Sequence, residues 1–225
     1  MAYSTQSGVA IPENLERRID AWKGIGALVW CGVFGWFTLV HLGRVPVWEL
    51  SMIGTHESGH LIFGFTHNDL ITLVMGNGFE TALPLVAAAM FLIRKRNWVA
   101  CGMCLAWCAN TLTDASLYIY DAPRGLMPLI GIGPVSDGGT QQLGDWARIL
   151  GPEHFDKLFL ADPISRDVQH AAVLVWVLSL AVLAGGMAWN HRRLARLEGG
   201  PAPAHHSPAE PTAPIADVGP EEMWK

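Results

Sequence analysis

Two histidines four residues apart, with a glutamate directly after the first, are the residues of this chain best suited to chemistry. The segment reads His56-Glu57-Ser58-Gly59-His60. On a helix, positions i and i+4 lie on the same face, so both imidazoles can bind one metal ion with the carboxylate beside it. The pattern is typical of a zinc site in which His56 and His60 are ligands and Glu57 is the general base.

A catalytic zinc ion usually has a third protein ligand and one position for water. Three carboxylates in or near other apolar segments are candidates for that ligand: Asp114, Glu80 and Asp121. We favour Asp114, because a carboxylate inside an apolar helix needs a cationic partner. Glu80 could instead accept a hydrogen bond from a ligand histidine or contact a substrate backbone, and Asn110 is a second candidate for such a contact.

The composition indicates a membrane protein. The chain has 225 residues, of which 51% are hydrophobic and only 16% are charged, whereas an ordinary soluble domain has about 25% charged residues. No charged residue lies between Val168 and His191, a stretch long enough to cross the hydrocarbon core of a bilayer. These features exclude a soluble, a disordered or a disulfide-stabilised chain as a whole, and the net charge of −5 offers no basic surface for nucleic acid.

Hydropathy predicts an all-α fold, a polytopic membrane bundle of about five transmembrane helices. Tryptophans lie near several of the predicted ends, where indole rings favour the membrane interface. The histidine pair falls in the second span, Glu80 in the third and Asp114 in the fourth. Gly76 and Gly78 in the third span would allow neighbouring helices to approach closely. The predicted spans are residues 24–43, 46–66, 70–93, 98–120 and 168–190.

Three further segments surround or interrupt these spans. Residues 1–23 are polar and could form an interfacial helix, and within the bundle region 24–190 the irregular acidic segment 121–167 is a candidate gate. Residues 191–225 combine a basic stretch with a disordered tail rich in Pro and Ala. Basic clusters follow the third and fifth spans, so the positive-inside rule favours a cytoplasmic C-terminus.

The segment His56–Gly64 resembles the motif helix of the site-2 protease family of intramembrane zinc metalloproteases. In that family a later helix carries an Asp as the third zinc ligand, a role that the resemblance assigns to Asp114. The usual Asn-Pro-Asp-Gly or Leu-Asp-Gly signature is replaced here by Leu112-Thr113-Asp114-Ala115. The layout is also similar to that of small bacterial membrane proteins that pair an H-E-x-G-H helix with a Leu-Asp helix and a downstream Asp-Trp, matched by Asp145-Trp146. The resemblance covers about residues 46–150.

The resemblance and the motif together predict a zinc-dependent intramembrane peptidase. It would hydrolyse peptide bonds in or near a membrane, in contact with lipid and with a membrane-protein substrate or partner subunits. The expected location is the bacterial inner membrane. The alternative is a non-catalytic membrane subunit or scaffold of a larger complex that retains the metal-motif helix, because the complete peptidase signature is absent. A metal carrier is a weaker third hypothesis.

Overall fold

The computed structural model describes residues 13–40, 45–46, 48–127 and 144–198. These residues form helices joined by short turns and contain no strand, which confirms the predicted all-α class. Two short 3-10 turns lie at Gly64–Thr66 and Leu158–Leu160. The α-helices of the described chain are α1 (Glu13–Leu39), α2 (Glu49–Phe63), α3 (Asp69–Ile93), α4 (Trp98–Asp121), α5 (Asp145–Leu150) and α6 (Ala161–Glu198).

Asparagine side chains cap the two central helices. Asn68 accepts a 3.1 Å hydrogen bond from the backbone N–H of Ile71 at the start of α3, and Asn97 accepts an equivalent 3.1 Å bond from Ala100 at the start of α4. A side-chain oxygen at this position satisfies a backbone donor that has no partner inside the helix. Each cap therefore fixes the residue at which its helix begins.

The centre of the fold is α3, which packs against α2, α4 and α5, while α1 packs against α4. Hydrogen bonds link α6 to the same group of helices. Gln169 donates a 2.6 Å hydrogen bond to the backbone oxygen of Thr38 in α1, and Ser165 donates a 2.7 Å bond to that of Ser116 in α4. The described residues up to Trp189 belong to one compact unit, and the last turns of α6, from Asn190 to Glu198, belong to a second.

Two stretches of the described chain are long and apolar enough to cross a membrane, namely Asp69–Ile93 and Leu158–Arg193. They correspond to the third and fifth predicted spans. The second predicted span contains an α-helix of 15 residues, which is only about 22 Å long and shorter than a bilayer core of about 30 Å. Membrane-spanning capacity is thus present in two helices, and the five-span count stays a prediction.

Several predicted segments have different boundaries in the structure. Residues 13–23 are continuous with the first predicted span in the single helix α1. The segment 121–167 is more regular than its composition suggested, since it contains α5 and the first turn of α6. The predicted polar residues 1–12, part of the candidate gate at 128–143 and the predicted disordered tail at 199–225 lie outside the described residues.

Candidate metal centre

The site begins with an unusually close contact between α2 and α3. A Cβ added at Gly59 in α2 would lie 2.0 Å from the backbone oxygen of Met75 in α3. A Cβ added at Gly76 would lie 2.6 Å from Nε2 of His60 and 2.8 Å from Cε1 of His56. Only hydrogen at these two positions lets the helices approach and leaves room for both imidazoles on the surface of α3.

The two histidines direct the same ring nitrogen toward one point. His56 and His60 lie one turn apart on α2, and their Nε2 atoms are 3.1 Å from each other. The Oδ2 atom of Asp145 completes a triangle, at 3.1 Å from Nε2 of His56 and 3.0 Å from Nε2 of His60. A helix separated by 85 residues from His60 thus supplies the third group.

Protons alone cannot make all three contacts of this triangle favourable. If both Nε2 atoms carry a proton, both can donate to Asp145, but their N–H groups then face each other. If one Nε2 lacks a proton, its lone pair faces the carboxylate oxygen. A single cation would accept a lone pair from all three atoms. Ligands held about 2.0 Å from a tetrahedral ion lie about 3.3 Å apart, which is close to the observed 3.0–3.1 Å.

The second nitrogen of each imidazole faces an acceptor. Nδ1 of His60 is 2.8 Å from the backbone oxygen of Thr72, and Nδ1 of His56 is 3.4 Å from Oε2 of Glu80. Metal-binding histidines commonly donate their other ring N–H to a carbonyl or carboxylate, which fixes the tautomer that offers a lone pair to the metal. The surroundings of both rings therefore favour Nε2 as the ligand atom.

Helix α5 is held in place by contacts of the residues that follow Asp145. The indole Nε1 of Trp146 donates a 2.9 Å hydrogen bond to Oδ1 of Asn77 in α3. Arg148 forms ion pairs with Asp69 at the start of α3 and with Glu153, at 3.0 and 2.8 Å. These contacts attach the short helix to α3 and present the Asp145 carboxylate to the two imidazoles.

The two imidazoles favour the ionised form of the Asp145 carboxyl group. Burial alone would raise the pKa of its carboxyl group, but hydrogen bonds from the two imidazoles outweigh burial and lower the pKa below its usual value. The side chains of Asp145 and His60 are 23% and 22% exposed, whereas that of His56 is 9% exposed. The cluster is therefore open on the side formed by His60 and Asp145, where water can reach a bound ion.

The structure brings together some of the predicted site residues and places others elsewhere. His56, His60 and Asp145 form a group of possible metal ligands whose ligand atoms lie within 4.8 Å of one another. Asp114 does not belong to this group. Asp114 is buried in α4, as is Asn110, and Glu57 is half-buried beside the pair. A ligand role for Asp114 stays a prediction, and Asp145 is the carboxylate that the geometry favours.

Two contributions to the site were not inferred from the sequence. Tyr118 in α4 stacks on the His56 ring, with 6.0 Å between ring centroids and an angle of 25° between planes, and the Thr72 carbonyl accepts from His60. A backbone carbonyl leaves no signal in residue type. Asp145 did have a signal, the Asp-Trp pair, but its role depends on a fold that returns α5 to α2.

A second group of possible ligands lies nearby but has a different character. Asp69, Glu153 and His154 have ligand atoms within 4.8 Å of one another, and both carboxylates are exposed. Arg148 already pairs with Asp69 and Glu153. Because the guanidinium supplies the positive charge that these carboxylates require, this group is explained as a surface ion-pair network.

No family model, curated protein or solved structure matches this chain. Its chemistry is therefore inferred from the cluster itself.

Proposed function

We propose that this chain is a zinc-dependent membrane peptidase whose metal is held by His56, His60 and Asp145. The observation that carries the proposal is the convergence of two imidazole nitrogens and one carboxylate oxygen at mutual distances of 3.0–3.1 Å. Two nitrogens and one oxygen form a donor set typical of catalytic zinc, in which three protein ligands leave a position for water. A structural zinc site would normally be closed by a fourth protein ligand.

The residues around the metal ligands have separable tasks. Bound zinc would lower the pKa of a coordinated water toward about 7 and polarise a carbonyl oxygen. Glu57, which follows His56 on the same helix, would accept the proton of the attacking water and return it to the leaving amine. The packing of the rings over Gly76 holds His56 and His60 in place, so that little reorganisation is needed during the reaction.

The position of the cluster along α3 favours cleavage near a membrane surface. Both imidazoles lie over Gly76, which is seven residues after the first residue of α3 and therefore about 10 Å from that end of the helix. Charged side chains lie at the same end, including the exposed Asp69 and the half-buried Arg148. A substrate would therefore present its scissile bond where water is available, near the end of a span rather than at the bilayer centre.

The proposed cellular setting follows from the apolar helices. We place α3 and α6 across a membrane, with α1, α2 and α4 completing a bundle of about five helices, in the bacterial inner membrane and with the C-terminus in the cytoplasm. Exposed aliphatic side chains on both candidate spans support this setting, including Val86 and Met90 on α3 and Leu174 and Leu178 on α6. Such surfaces are favourable against lipid and unfavourable against water.

The substitution Glu57→Gln tests the peptidase proposal. The full-length protein would be purified in detergent, reconstituted into vesicles of phosphatidylethanolamine and phosphatidylglycerol, and assayed with an apolar helical peptide that carries a fluorophore and a quencher. Glu57→Gln should retain zinc and lose cleavage by about 100-fold or more, because only the base is removed. Glu49→Gln, an exposed position at the start of the same helix, is the matched control and should cleave normally.

Other outcomes of this experiment separate the alternatives. Zinc retained with no cleavage by the unmodified protein or by either variant would favour a non-catalytic subunit with a structural metal. Equal cleavage by Glu57→Gln and Glu49→Gln would contradict the role of Glu57 as the base. Zinc absent from the unmodified protein would contradict the proposal as a whole.

A further inference from the structure

Glu80 is a completely buried carboxyl group that the proposed hydrolysis does not use directly. Its side chain is 0% exposed, and both carboxyl oxygens lack a hydrogen bond within the described part of the chain. Its nearest ionic contact among these residues is Nδ1 of His56, at 3.4 Å. Carboxylates inside an apolar helix are costly unless a charge or a donor compensates them. The environment of Glu80 therefore requires a partner, and His56 is the group placed to supply it.

The contact between Glu80 and His56 involves Nδ1, the ring nitrogen that would not bind the metal. A neutral imidazole carries its proton on one nitrogen and a lone pair on the other. If Nε2 of His56 is a ligand, the proton is on Nδ1, and that atom also lacks a hydrogen bond within the described residues. Glu80 lies directly beyond it. A short movement of the ring or of the carboxyl group would convert the 3.4 Å contact into a charge-assisted hydrogen bond.

The two histidines differ in the acceptor that their Nδ1 atoms face. His60 has a neutral backbone oxygen, that of Thr72, as its acceptor at 2.8 Å, whereas His56 faces a carboxyl group. Both acceptors fix the proton on Nδ1 and raise the basicity of Nε2. The Glu80 side chain can be changed by mutation, whereas the Thr72 backbone oxygen cannot.

We propose that Glu80 is a positioning residue that acts through His56, by holding the tautomer and orientation in which Nε2 binds the metal and by increasing the affinity for a divalent cation. The inference rests on the metal site of the proposed function, but not on peptidase activity. Glu80 does not touch the proposed ion, since it faces the far nitrogen of the imidazole. Its contribution is to affinity and ligand geometry.

The test compares Glu80→Gln, Glu80→Asp and the control Glu49→Gln in the full-length protein in detergent. Zn²⁺ affinity is measured by competition with a chromophoric chelator, and ligand geometry by the visible absorption of the Co²⁺-substituted protein. Glu80→Gln should weaken Zn²⁺ binding by about 10–100-fold and change the Co²⁺ spectrum. Glu80→Asp keeps the carboxyl group and should recover part of the affinity, and Glu49→Gln should bind as the unmodified protein does.

Thermal unfolding without metal distinguishes positioning from a merely structural role. Because neither carboxyl oxygen of Glu80 has a hydrogen bond within the described residues, and Gln keeps the volume of the side chain, metal-free Glu80→Gln should be about as stable as the unmodified protein. The stabilisation that Zn²⁺ adds should be smaller in this variant. A lower melting temperature without metal, together with Zn²⁺ affinity within threefold of normal, would overturn the inference.

The failure of the inference and that of the proposed function are distinguishable. Tight Zn²⁺ binding by the unmodified protein, with equal affinity in Glu80→Gln, overturns the role of Glu80 and leaves the metal site intact. An unmodified protein that binds no Zn²⁺ overturns both. If Glu80→Gln does not fold, Glu80→Asp decides: normal affinity and an unchanged Co²⁺ spectrum would count against positioning, because the shorter side chain cannot reach His56 equally well.

Discussion

Gly76→Ala is the substitution that most sharply tests the geometry of the cluster. The added methyl group would lie 2.6 Å from Nε2 and 2.7 Å from Cε1 of His60, and 2.8 Å from Cε1 of His56. Ordinary carbon contacts begin near 3.4 Å, so the two rings must move away by about 0.6–0.8 Å. Functional constellations tolerate displacements of about 0.5 Å. The substitution therefore moves both imidazoles beyond that tolerance while changing no ligand.

The steric strain introduced by Gly76→Ala should destabilise mainly the metal-bound state. Overpacking costs about 1–3 kcal/mol, which corresponds to a loss of Zn²⁺ affinity of about 5–150-fold if the strain is confined to that state. Without metal, the imidazoles of His56 and His60 are constrained only by their packing and hydrogen bonds, so a small shift away from the methyl group costs less than when an ion also fixes them. Ala is also favoured over Gly inside a helix by about 1 kcal/mol. The metal-free variant of Gly76→Ala should thus be as stable as the unmodified protein, or slightly more stable.

The assay is Zn²⁺ titration by calorimetry in detergent, combined with thermal unfolding in the presence and absence of Zn²⁺. Gly78→Ala is the matched control, because a Cβ there meets the flexible Met75 side chain, with Sδ at 3.2 Å, and no imidazole. It should bind Zn²⁺ normally. Unchanged Zn²⁺ affinity in Gly76→Ala would refute the reasoning, since the rings would then not lie over α3 in the bound state.

Three further predictions concern the groups that complete the site. Asp145→Asn should remove most of the bound zinc, whereas Asp114→Asn should leave the zinc content unchanged; the reverse result by elemental analysis would restore the ligand predicted from the sequence. Trp146→Phe removes the donor to Asn77 and should lower the free energy of unfolding by about 0.5–1.5 kcal/mol and weaken Zn²⁺ binding as α5 loosens; an unchanged denaturation midpoint would contradict this. Gly59→Ala places a methyl group against the backbone of α3 and should destabilise the fold by about 3 kcal/mol or more, measured in the same way; a normal midpoint would show that the helices do not pack so closely.

The helical class and the ligand pair could be predicted because both are local properties of the sequence. The spacing of His56 and His60 places them on one face of any helix, whatever surrounds it. Likewise, the long apolar runs around Glu80 and after Val168 predicted helices, and both became candidate membrane spans. Window composition was less successful for the other three predicted spans, which are not candidate membrane spans among the described residues.

The third carboxylate depended on tertiary structure, and local reasoning could not choose it. Asp114 satisfied the argument that a carboxylate within an apolar helix needs a cation, and it is indeed buried. Asp145 lies in a segment that composition alone assigned to an irregular region. Its proximity to His56 arises because α5 packs back on α3 through Trp146. A residue outside the predicted spans thus lies closer to the two imidazoles than the sequence suggested.

The role of Gly76 could be predicted from the sequence only in part. Its small size predicted a close approach between helices, and the structure shows that imidazole rings, together with the neighbouring helix at Gly59, occupy the space. The identity of the approaching group could not be inferred, because a glycine indicates only that a neighbouring group packs closely against the backbone. Glu80 is similar: the sequence offered a ligand histidine or a substrate backbone as its partner, and the rotation of α3 turns it toward His56.

X-ray absorption at the zinc edge, on protein purified without added chelator, tests the metal centre most directly. The account predicts about one zinc per chain with two imidazole nitrogens and carboxylate or water oxygens at about 2.0–2.1 Å. The imidazole signal should fall to one ring in His60→Ala. A protein without bound zinc after exposure to the ion, or zinc bound with no imidazole in its coordination shell, would contradict the account.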